Sequence, residues 1–121
     1  MLIFGAVDFT AALVRVAKVL GYRVTVCDAR EVFATRQRFP LADEVVVDWP
    51  NRLLDQVGPG LGQRDAVCVL THDNKFDVPA IVSSIELIWS CAGLRLHALI
   101  AAGLTALMPS APLRREASGR P

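Results

Sequence analysis

Histidine and cysteine are scarce in this 121-residue chain, and those present are not arranged for a metal. His72 and His97 stand far apart, and Cys27, Cys68 and Cys91 have no ligand spacing. An odd cysteine count, with the first two in apolar strand contexts, argues for buried thiols in a reducing, cytoplasmic compartment and against a disulfide framework. A strong charge of either sign is also missing. The formal charge is +1, with nine Lys/Arg against ten Asp/Glu in residues 1–84 and four against two thereafter, so nothing points to nucleic acid. Met1-Leu2-Ile3-Phe4 has no basic flank and is too short for a signal peptide. The one long apolar run, Leu87 to Met108, is broken by Arg95 and rich in small residues, which makes it a poor membrane span. Neither a Walker loop nor a nucleophile elbow is present.

With 53% hydrophobic and 21% charged residues, the chain has the make-up of one compact soluble domain, with disorder expected only in its last dozen residues. Its organising stretch is Met1 to Arg30. An apolar strand, Leu2-Ile3-Phe4, meets a turn at Gly5-Ala6-Val7-Asp8. A helix follows in which Phe9, Leu13, Val16 and Leu20 recur at helical spacing, and Gly21 suits the left-handed position after it. Val24-Thr25-Val26-Cys27 then forms a strand that delivers Asp28. This is the plan of a mononucleotide-binding βαβ unit with an altered phosphate turn.

The plan repeats. Residues 31–41 read as an irregular connection, and Val45-Val46-Val47 as a third strand. Pro50 opens a short helix with Leu53, Leu54 and Val57 on its apolar side, and Gly58-Pro59-Gly60 breaks the chain. Ala66 to Leu70 is a fourth strand; Asp77 is placed as the N-cap of a helix over about 78–84 with Pro79 in its first turn, and Ile85 to Trp89 reads as a fifth strand. His97 reads as a partly buried helix residue. The fold class expected is α/β, a Rossmann-like three-layer fold with a mostly parallel sheet that stops after the fourth or fifth strand. Beyond Ser84 the alternation fades. The domain is therefore placed at 1–84, an apolar, divergent or out-of-frame continuation at 85–108, and a flexible tail at 109–121.

In such a sheet the ligand sits outside the carboxyl ends of the strands, which here present Gly5, Ala6, Val7, Asp28, Arg30, Thr71, His72 and Asp73. A dinucleotide fingerprint needs three glycines, and only Gly5 is kept; Val7 and Thr10 occupy the other two places. Asp8 stands where it caps the helix and repels an anion. Asp28 lies 23 residues after Gly5, near the spacing at which an acid meets a ribose 2′-OH, or else it caps the next turn. Arg30 leaves room for a 2′-phosphate, although the acid favours the unphosphorylated form. His72 is the one candidate acid or base, or a metal ligand together with Asp73, with backbone hydrogen bonding as the plainer role; two adjacent ligands without a third make no metal set, and none is predicted.

Taken in order, Leu2 to Ala6, Gly21 to Arg30, Phe33-Ala34-Thr35, Arg38-Phe39-Pro40, Ala42 to Val47 and Leu70-Thr71-His72-Asp73 resemble the C-terminal Rossmann-like domain of xanthine dehydrogenase accessory factors, the XdhC/CoxI type. The resemblance covers about residues 2–84. It implies a part in maturing molybdenum hydroxylases by carrying, sulfurating or inserting the molybdenum cofactor, with such a hydroxylase as client. The chain departs from the family pattern at Val7, in place of a second glycine, and at Asn74, in place of a proline. It has no equivalent of the family's Gly-Ser-Arg-Arg-Thr-His segment after Ser84.

These readings favour an accessory or binding protein over a self-sufficient enzyme, with NAD(P) or a molybdopterin-type nucleotide as the candidate cofactor. Two alternatives stand beside it. One is an NAD(P)-dependent oxidoreductase with His72 as proton donor. The other is a truncated domain without a ligand, whose exposed apolar surface would promote homo-oligomers.

Overall fold

Strand β1 (Leu2–Phe4) has all three side chains buried, as a parallel strand covered on both faces must. In the computed structural model, residues 1–62, 64–71, 73–90 and 97–100 are described, with side chains to residue 84. After β1 come helix α1 (Thr10–Val19), strand β2 (Thr25–Asp28), strand β3 (Glu44–Val47), helix α2 (Pro50–Val57), a 3-10 turn at Gly58–Gly60, strand β4 (Ala66–Val69), helix α3 (Asn74–Ser90) and strand β5 (His97–Ile100). All strand pairings are parallel, in the order β3-β2-β1-β4-β5. The sheet is the α/β, Rossmann-like arrangement expected, and its order reverses at β1.

Alternation along the strands divides the core in two. Ile3, Val26, Cys68 and Leu70 face Val14 and Ala17 of α1 together with Phe39 and Ala42 of the connection 31–43. Leu2, Phe4, Cys27, Val67 and Val69 face Leu53 and Leu54 of α2 and Ala80 of α3. Each fully buried Val, Leu, Ile or Phe contributes about 1.5–3 kcal/mol, so these two layers hold the sheet.

Helix α1 lies differently from its most conspicuous stripe. Thr10, Val14 and Ala17 are its buried residues, whereas Phe9, Val16 and Leu20 are 46%, 56% and 67% exposed. Thr10, Val14 and Ala17 let the helix sit close to the sheet, Leu13 packs partly buried against the same core, and Phe9, Val16 and Leu20 point away. Its end follows expectation: Gly21 has φ 84°, its N–H bonds Lys18 O and the Tyr22 N–H bonds Ala17 O, a Schellman closure.

Four other expectations are corrected. Asp8 does not cap α1; Phe9 holds that position without a side-chain bond, and Asp8 is fully exposed. Asp77 does not cap α3. The helix starts earlier because Asp73 Oδ1 accepts from the Lys75 N–H while Asp73 O accepts from Phe76 and Asp77, so Pro79 falls in the second turn. Ile85 to Trp89 belongs to α3 and is not a strand; a short apolar run has no period of its own to separate the two. The fifth strand is His97–Ile100, so the His97 backbone is extended rather than helical. Helix α3 runs through residue 84, and among the described residues no helix is long and apolar enough to cross a membrane. Residues 91–96 and 101–121, with Cys91 and the expected tail, lie outside the described residues.

Candidate functional site

Gly5 leaves β1 with φ 114°, a conformation that disfavours any side chain. A Cβ there would lie 2.8 Å from Thr71 N, so the glycine lets the loops after β1 and β4 touch. That contact lies at the point where the strand order reverses, the usual ligand crevice of such sheets. Three backbone donors of the turn are also committed. Gly5 N–H bonds Cys27 O at 2.9 Å, Ala6 N–H bonds Asp28 Oδ2 at 2.9 Å and Val7 N–H bonds Thr10 Oγ1 at 3.3 Å. The Thr10 hydroxyl donates to Gly5 O at 2.6 Å, so the residue that replaces the third glycine folds into the turn and ties it shut.

Asp28 ends β2 as a fully buried residue whose carboxylate is saturated. Oδ1 accepts from Arg30 N–H and Arg30 Nε, both at 2.9 Å; Oδ2 accepts from Ala6 N–H at 2.9 Å and Arg30 Nη2 at 2.8 Å. Four donors match the four lone-pair sites of a carboxylate. Burial alone would raise its pKa, but the hydrogen bonds from Arg30 and Ala6 outweigh it and hold Asp28 below the ordinary carboxylate value. Arg30 is raised in turn, first through its bonds to Asp28.

The connection 31–43 supplies a second cation. Arg38 Nη1 donates to Ala6 O at 2.9 Å and Phe33 O at 3.1 Å, and Nη2 reaches Asp8 at 3.4 Å. Both guanidiniums lie against one ring, Arg30 at 4.6 Å and Arg38 at 5.6 Å from the Phe33 centroid. Beside them is a cavity of about 240 Å³ lined by Ala6, Val7, Asp8, Arg30, Phe33 and Arg38. A further aromatic and cationic group adjoins Arg30: Phe76 lies 5.7 Å from its guanidinium, Trp49 packs on Phe76 with centroids 5.0 Å apart and planes tilted by 40°, and Lys75 Nζ sits over both rings.

Of the predicted site residues, Gly5, Ala6, Val7, Asp28 and Arg30 come together, with Thr71 packed on Gly5. The Thr71 hydroxyl donates to buried Asp77, and Asp73 serves as the α3 cap, so neither lines the cavity. His72 lies outside the described residues. Sequence spacing missed Arg38 and Phe33 as cavity residues, although both belong to the segments on which the family resemblance rests.

Among the described residues no group of three or more His, Cys, Asp or Glu is placed to hold a metal. The two described thiols are buried, and burial pushes Cys27 up to about 12 while its Sγ donates to Asp48 O at 3.3 Å. The larger cavity, about 760 Å³, opens at the amino ends of the strands beside Leu2, Tyr22, Arg23 and Asp65, and none of the described site residues lines it.

Comparison with known proteins agrees with this architecture. No curated protein matches the chain. Among solved structures, a crystal structure described as a xanthine dehydrogenase from Bacillus halodurans matches with a TM-score of 0.61 at 23% identity, over 81% of this chain and 33% of that one. At that identity the fold is what is shared, and this chain spans about a third of the relative's length. The XdhC Rossmann domain matches residues 1–102, past the limit at which the sequence motifs fade. The chain belongs to the XdhC Rossmann-domain family.

Proposed function

We propose that this domain is a nucleotide-binding component of an accessory factor that serves a molybdenum hydroxylase, and that it binds rather than transforms its ligand. The observation that carries this reading is the cavity at the carboxyl ends of β1 and β2, where two guanidiniums lie against Phe33. Arginines that meet a phosphate and an aromatic ring that meets a base are the elements such a ligand needs. Membership of the XdhC family supports the accessory role, and the relative described as a xanthine dehydrogenase is consistent with a client of that kind.

The same donors fit the phosphate and ring portions of a molybdopterin-type nucleotide. They offer no ligand for its metal, and the Cys27 thiol, held neutral in the sheet, offers no thiolate. When bound, that cofactor would bring the molybdenum chemistry; Arg30, Arg38 and Phe33 would orient its organic part.

Calorimetry with NAD(H), NADP(H) and a pterin nucleotide tests the reading. Heat of binding and a raised unfolding temperature with at least one of them are expected. No heat and no protection from any of the three would remove the ligand.

A further inference from the structure

Resting on that reading, we propose that the cavity selects a nucleotide bearing a phosphomonoester on its ribose 2′ position, held by Arg30 and Arg38, and disfavours one that offers a free 2′-hydroxyl. The argument begins with what the site no longer has. A ribose diol needs a carboxylate with spare lone pairs, and the Asp28 side chain, 1% exposed, has all four occupied by Ala6 and Arg30. A pyrophosphate needs the bare N–H groups of the β1–α1 turn, and those of Gly5, Ala6 and Val7 are bonded within the protein. The carboxylate grip on a free 2′-hydroxyl is therefore closed, whereas the loss of turn donors weakens the hold on a pyrophosphate with or without a 2′-phosphate.

What remains is cationic. A guanidinium has five N–H donors. Arg30 uses two of them on Asp28, and Arg38 uses its Nη1 pair on Ala6 O and Phe33 O; the described residues give the other donors only Asp8 as a partner. Asp8 is fully exposed and its contact with Arg38 is long at 3.4 Å, so it holds the second guanidinium weakly. A phosphomonoester carries about −1.5 to −2 charge near neutral pH and three acceptor oxygens, and it outcompetes one solvated carboxylate for the same donors. The Phe33 ring, against which both guanidiniums lie, is 40% exposed and gives the adjoining base an apolar surface.

Calorimetry of the full chain with 2′,5′-ADP and with 5′-ADP, which have the same number of phosphates, separates the possibilities. We expect 2′,5′-ADP to bind at least tenfold more tightly. Asp8→Asn, an exposed change that leaves the core intact, should tighten 2′,5′-ADP severalfold and 5′-ADP by less, and an equal gain for the two would count against a site specific for the 2′-phosphate. Equal affinities, or a preference for 5′-ADP, would overturn the inference and leave nucleotide binding standing. No binding of either would overturn both.

Discussion

Asp28 shows how a residue legible in sequence acquires a different neighbourhood in space. Its distance from Gly5 marks the acid of a nucleotide fold, yet only the folded chain shows Arg30 turning back to saturate it, because a two-residue return depends on backbone angles that no spacing rule contains. The pair has a pH signature. The folded-state pKa of Asp28 is lowered, so its contribution is complete above the unfolded value of about 3.9 and is lost as pH falls through the lower folded value. In urea titrations, Asp28→Ala should cost roughly 2–3 kcal/mol near neutral pH, because it leaves the Ala6 N–H unpaired, and should flatten the loss of stability below about pH 4. An unchanged acid limb would contradict the assignment. Burial of the thiols gives a second expectation at this scale. Cys27 and Cys68, both shifted up by desolvation, should resist alkylation at pH 8 in the folded protein and react once it is unfolded, as mapped by mass spectrometry.

At the scale of elements, α1 was legible as a helix, with its Gly21 ending, but its orientation was not. Phe9, Leu13, Val16 and Leu20 form the more hydrophobic stripe, and hydrophobicity alone favours burying it. The sheet instead takes Thr10, Val14 and Ala17, because the Thr10 hydroxyl is fastened to Gly5 and Val7 and sets the rotation of the helix. Val19 and Leu20, 87% and 67% exposed, should accept lysine with stability changed by less than about 0.5 kcal/mol. Val14→Ala should cost about 2 kcal/mol. Chemical denaturation of the three variants checks the rotation, and the reverse ranking would refute it. Helix α3 is the opposite case: its cap, Asp73, lay in a cluster that also read as chemistry, and one side chain cannot be assigned to both uses from sequence.

For the whole molecule, alternating apolar strands and turn residues carried the α/β class and the parallel sheet, since strands buried on both faces need long crossovers. The ligand-side geometry was less legible, because it depends on contacts between loops far apart in sequence: Gly5 against Thr71, Ala6 against Arg38, Arg30 and Arg38 against Phe33. The organising turn is closed by its own hydrogen bonds, and the proposed binding surface lies beside it. Backbone amide NMR during a titration with a nucleotide tests this most directly. The account predicts shifts concentrated at Ala6, Val7, Arg30, Phe33 and Arg38. Shifts confined to Tyr22, Arg23 and Asp65 around the larger cavity at the opposite end, or none at saturating ligand, would contradict it.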